Sequence, residues 1–86
     1  MREFHYLIAV ELLGGSRDEY KRLWDVLTGL RVSPVLDNVY WVSDERTTEE
    51  LFDLLEICIG EKDRLLITRL DMSDFKGRKL LCPFGG

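Results

Sequence analysis

Two helix-start signals, Ser16-Arg-Asp-Glu19 and Thr47-Thr-Glu-Glu50, constrain this chain more than any other feature in it. In each, a hydroxyl residue is placed to accept from the backbone three positions on, while the glutamate reaches back to close a capping box. Each signal opens an apolar stripe with spacings of three and four, and each follows a run with strand character. The predicted order is strand, helix, strand, strand, helix, strand.

The first strand is expected over Phe4–Leu13 and stops at Gly14-Gly15. Its two-residue period puts Phe4, Tyr6, Ile8, Val10 and Leu12 on one face and His5, Leu7, Ala9 and Glu11 on the other. Neither face is polar, so both need cover, and two helices supply it on one side only. A second copy of the chain is the expected cover for the other.

The first helix is predicted from about Arg17 to Leu30, with Tyr20, Leu23, Trp24, Leu27 and Leu30 on its buried stripe. Gly29 lies near its end, and Ser33-Pro34 stops it, because proline disfavours helical geometry in the residue before it. Val35-Leu36 then turns at Asp37-Asn38 into Val39–Ser43, a tight hairpin. Thr47 caps a second helix expected over Thr48–Ile59, burying Leu51, Leu54, Leu55 and Cys58, with Gly60 as its stop.

Arg64–Leu70 is the last long strand, with Leu66, Thr68 and Leu70 on one side and Leu65, Ile67 and Arg69 on the other. Phe75–Leu81 is read as a short fifth strand or a docked tail. The fold class is therefore α+β, a ferredoxin-like β-α-β-β-α-β two-layer sandwich, as one domain over residues 1–81 with a tail at 82–86.

With 86 residues the chain leaves much of its surface exposed, a condition that self-association relieves. Its net charge of −4 repels a polyanion at long range and disfavours wholesale coating of nucleic acid. Lys76, Arg78 and Lys79 form the candidate nucleic-acid patch, with Arg64 and Arg69 on the last strand as a second group; solvated surface charge is the alternative for both. Cys58 and Cys82 are far apart and lack the spacing of a zinc or redox motif. No apolar stretch is long enough to span a bilayer, and the expected location is the cytoplasm.

Chemistry-bearing residues are sparse. His5 shares a strand face with Glu11, but six extended residues separate them by about 20 Å, too far for one acid–base pair. Gly14-Gly15-Ser16 precedes a helix start yet lacks the lysine and fuller glycine pattern of a phosphate loop, so it reads as a turn and cap. Tyr40 and Trp41 point to opposite faces, so at most one of them lies on an open sheet surface where a base could stack.

Tyr6-Leu-Ile-Ala-Val-Glu-Leu12, Val39-Tyr-Trp-Val42, Thr47-Thr-Glu-Glu-Leu51 and Asp63-Arg-Leu-Leu-Ile67 resemble the small SinR-like proteins, relatives of the ferredoxin-fold nuclease subunit of CRISPR adaptation. The resemblance runs to about Leu70 and rests mainly on strand and helix patterning. It implies a homodimer whose sheets face one another, with a C-terminal strand completing the partner's sheet. In the nuclease members an aspartate ending the first strand is the proposed magnesium ligand, one from each protomer. Glu11 stands at that position here, with one more methylene in its side chain.

Two readings follow. In the first, the chain is a homodimeric, non-catalytic protein-interaction module of a defence or mobile-element system, without a cofactor and with a protein partner. In the second, it is a magnesium-dependent nuclease or nucleic-acid-binding dimer, with Glu11 from both copies on the metal beside Lys76, Arg78 and Lys79. The expected interface between copies takes in Leu7, Ala9 and Glu11 of the first strand and Leu65 and Ile67 of the last.

Overall fold

The computed structural model describes residues 3–14 and 20–81. The elements are β1 (Phe4–Glu11), α1 (Lys21–Leu30), β2 (Ser33–Leu36), β3 (Val39–Asp44), α2 (Thr48–Glu56) and β4 (Arg64–Arg69). The strands form one antiparallel sheet in the order β2-β3-β1-β4. β1, the most apolar strand, is central and pairs with β3 on one side and β4 on the other.

Both helices lie on one face. Leu23 and Leu27 of α1 and Leu51 and Leu55 of α2 form a single buried cluster with Tyr6, Ile8 and Val10 of β1, Val42 of β3 and Ile67 of β4. The alternation of β1 thus becomes a division between a helix-covered face and a helix-free one. Tyr6 is wholly buried, and its hydroxyl donates to the Arg46 carbonyl at 2.6 Å, tying the strand centre to the loop before α2.

The start of α2 forms as its residues dictate. Thr47 Oγ1 accepts from the Glu50 N–H at 3.2 Å, and Glu50 Oε1 accepts from the Thr47 N–H at 3.1 Å. The corresponding signal at Ser16 and Glu19 lies outside the described residues. α2 is helical only to Glu56, short of the expected Ile59; Ile57 to Ile59 make a closing turn that still buries Cys58. Gly60 N–H donates to Asp63 Oδ2 at 2.7 Å, so this glycine belongs to the entry into β4.

α1 ends at Leu30 as expected, with Gly29 inside its last turn. The Arg31 N–H donates to the Thr28 carbonyl and the Val32 N–H to the Leu27 carbonyl, the paired bonds of a Schellman ending. Arg31 takes the left-handed position, φ 61°, that glycine favours.

The expected fifth strand does not form within Phe75–Leu81. The segment after β4 is held at its two ends instead, by Leu70 N–H to the His5 carbonyl (2.8 Å) and by Leu81 N–H to the Val35 carbonyl (2.9 Å). The physical reason is the edge it meets: Pro34 has no N–H to offer, and the β2–β3 register shifts between Pro34 and Leu36, so β2 presents no regular ladder. Residues 82–86, the expected tail, lie outside the described residues. No helix among the described residues is long and apolar enough to cross a membrane.

Candidate functional site: the helix-free face of the sheet

Directly opposed residues of antiparallel strands share a face, so the pairing decides which side chains meet. On the helix-free face β1 contributes His5, Leu7, Ala9 and Glu11; opposite them stand Ser43, Trp41 and Val39 of β3 and Thr68, Leu66 and Arg64 of β4. The centre is apolar, from Leu7, Ala9, Val39 and Leu66. Polar groups hold the two ends.

At one end Arg64 Nη1 donates to Glu11 Oε1 at 2.9 Å, a cross-strand ion pair with both side chains largely in solvent. Exposed pairs of this kind contribute about 0–1 kcal/mol, so it orients the two groups more than it stabilises the fold. At the other end His5 stacks on Trp41 with ring centroids 5.7 Å apart and planes inclined by 14°. His5 Nδ1 and Trp41 Nε1 are buried although no helix covers them. The segment after β4 leaves the sheet beside His5 and reaches Val35 on the opposite edge, and Val35 is 2 % exposed although it is outside the helix-side cluster. The chain therefore covers part of this face itself.

The β4 margin stays uncovered, with Leu66 62 % exposed, and so does Leu36 at the β2 edge, 49 % exposed.

The register divides the residues expected at the interface between the two faces of the sheet. Leu7, Ala9 and Glu11 are on the helix-free face, but Leu65 pairs with Val10 and Ile67 with Ile8, and both point to the helices. Ile67 is 8 % exposed and belongs to the core, and Leu65 packs against it. Leu66 and Thr68 occupy the positions assigned to them. The signal was present in the alternation of β4, because the face that carries Arg64 and Thr68 is the more polar one and so faces away from the helices.

Tyr40 and Trp41 do point to opposite faces. Tyr40 meets Trp24 of α1 edge-on at 6.3 Å, and burial raises its hydroxyl above the ordinary range. Arg64 and Arg69 likewise diverge and make no common patch: the Arg69 guanidinium lies over the Phe4 ring, 4.0 Å from its centroid, on the helix side. Lys76, Arg78 and Lys79 are exposed on the segment after β4, together but outside the strands. Among the described residues no group of three or more histidine, cysteine, aspartate or glutamate side chains stands where it could hold one metal ion.

A second polar cluster, invisible in the sequence, joins the loops at one end of the sheet. Asp63 Oδ1 accepts from Leu13 N–H at 2.8 Å and lies 3.0 Å from the Tyr20 hydroxyl, which donates to the Gly14 carbonyl at 2.6 Å. Asp63 Oδ2 takes the Gly60 N–H. The Gly60 bond, followed by those from Leu13, Tyr20 and Gly14, holds this carboxyl below the usual range. An open cleft beside it is lined by Tyr20, Arg22, Cys58 and Lys62. Because both carboxylate oxygens are engaged with the protein's own donors, the cluster closes loops rather than presenting a base to solvent.

These features define a small α+β domain whose helix-free face is apolar at its centre, partly covered by its own chain, and open along its β4 margin and at Leu36. No protein-family model, curated protein or solved structure matches the chain.

Proposed function

We propose that the chain is a small homodimeric, non-catalytic protein-interaction module with a ferredoxin-like layout. The strand order β2-β3-β1-β4 and the two helices on one face support that layout. The observation that carries the interaction reading is the apolar centre of the helix-free face running out to an exposed Leu66. A single exposed apolar residue such as Ile57 is ordinary, but an apolar patch continuous from the face to its edge supports an interaction surface. A protein partner fits better than a nucleic acid, since the net charge is negative and the helix-free face presents an apolar centre with one compensated ion pair. An accessory role in a defence or mobile-element system is the biological setting that the resemblance to SinR-like proteins suggests.

The nuclease reading has one observation in its favour: Glu11 ends β1 on the helix-free face, where a symmetry-related copy could approach it. Against it, Arg64 already donates to the Glu11 carboxylate, and a cation would have to displace that guanidinium. Sedimentation equilibrium of the whole chain tests the dimer; the expected mass is twice 10.1 kDa. Incubation with single- and double-stranded DNA and RNA in magnesium should leave every substrate intact. Cleavage that disappears in Glu11→Gln would replace the module with the nuclease.

A further inference from the structure

The two edges of the sheet are unlike. β2 is blunted in three ways: Pro34 lacks a donor, the register shifts between Pro34 and Leu36, and Leu81 N–H already occupies the Val35 carbonyl. β4 has no such protection. It contains no proline, its register with β1 runs unbroken from Arg64 to Arg69, and no strand lies beyond it among the described residues. The bond from Leu70 N–H to His5 carbonyl shows that even-numbered residues of β4 turn their main-chain groups toward β1. Leu65, Ile67 and Arg69 therefore aim N–H and C=O outward.

We propose that β4 is the surface through which two copies of this chain join, antiparallel, with Leu66 opposite the partner's Leu66 on the two-fold axis. The inference rests on the homodimer reading and specifies its geometry. Symmetry limits the choices. A two-fold axis normal to the sheet keeps the helices of both copies on one side, so helix-facing residues must oppose helix-facing residues, and the axis passes through Leu65, Leu66 or Ile67.

Centred on Leu65, the pairing sets Leu66 against the partner's Arg64 and Ile67 against the partner's Asp63. Centred on Ile67, it sets Asp63 against the partner's Asp71 and Leu65 against the partner's Arg69. Like charges directly opposite one another destabilise a strand pair. Centred on Leu66, it sets Leu65 against the partner's Ile67 and Arg64 against the partner's Thr68, with no like charges opposed within the strand. Within Arg64–Arg69 only this register opposes Leu65 to the partner's Ile67 as well as setting one apolar residue against its own copy, and it buries the most exposed apolar residue of the strand there. The result is one continuous sheet whose two helix-free faces lie side by side as a doubled apolar floor.

A single strand pair buries less than the roughly 1,200 Å² of a stable interface, so the dimer is weak and covalent trapping is the suitable readout. On the axis, opposed Cα atoms of a non-hydrogen-bonded pair stand about 4.5 Å apart, within disulfide range. In a full-length Cys82→Ser background, Leu66→Cys should give a covalent dimer under oxidised glutathione. Arg64→Cys, whose copies are offset by about 14 Å along the strands, should not, and neither should Leu7→Cys in the middle of the face. Leu66→Lys should weaken self-association at least tenfold while lowering the melting temperature of dilute protein by only a few degrees, no more than Leu66→Ala does.

Trapping at Leu7→Cys without trapping at Leu66→Cys overturns the edge pairing and leaves a face-to-face homodimer standing. Equal trapping at Arg64→Cys and Leu66→Cys overturns the register. A single-chain mass at high concentration, with no trapping anywhere, overturns both the pairing and the homodimer.

Discussion

Leu66 and Ile67 are neighbours in sequence with nearly equal apolar bulk, yet the sheet sends them to opposite sides, and their substitution should separate sharply. Ile67 is 8 % exposed and packs in the cluster formed by Ile8, Val10, Leu51 and Leu55. Truncating such a residue to alanine removes its transfer free energy and leaves a void that the surroundings fill only in part, a loss of about 2–5 kcal/mol. In a domain of this size each kcal/mol lowers the melting temperature by about 4–8 °C, so a loss near 3 kcal/mol corresponds to roughly 12–24 °C. Leu66 keeps 62 % of its surface in water. Only about a third of its burial free energy of about 1.5–3 kcal/mol is at stake, which gives Leu66→Ala a cost of about 0.5–1 kcal/mol. Urea titration followed by far-ultraviolet circular dichroism, in protein dilute enough to be single chains, measures both. The slope with denaturant should be unchanged, so that the midpoints report stability alone. Equal losses, or a larger loss at Leu66, would show that β4 pairs one residue out of the register described and would remove the basis for placing Leu66 on the helix-free margin.

Three other outcomes follow from local geometry. The lowered carboxyl of Asp63 contributes stability in full above its unfolded value of about 3.9 and loses it as pH falls through the lower folded value; Asp63→Asn should flatten that acid limb when melting temperature is followed from pH 7 to pH 2. Thr47→Ala removes the side-chain half of the α2 capping box and should cost about 1 kcal/mol in chemical denaturation, with Thr47→Ser restoring most of it. Arg31→Gly relieves a left-handed residue, strained by about 1–2 kcal/mol, but frees the unfolded chain by about 0.4–1 kcal/mol; the net should be a gain of about 0.5 kcal/mol, and a loss would mean that the Arg31 side chain contributes contacts of its own.

Sequence alone determined the features that depend on near neighbours along the chain. The alternation of β1, the capping box at Thr47, the hairpin through Asp37-Asn38 and the apolar stripe of α2 are local patterns of period, cap and turn, and each appears in the structure within a few residues of its expected place. The element order followed from them. The polar face of Arg64 and Thr68 favoured one orientation of β4, but tertiary structure fixed which face met the helices, because that depends on pairing between residues more than fifty positions apart, and a shift of one residue would have exchanged Leu66 for Ile67. It also decided the path of the segment after β4, which a broken β2 edge turned from a strand into a strap, and the gathering of Leu13, Tyr20 and Gly60 around Asp63. Local chemistry sets what each stretch becomes; long-range pairing sets which side chains remain in water, and the candidate site consists of those.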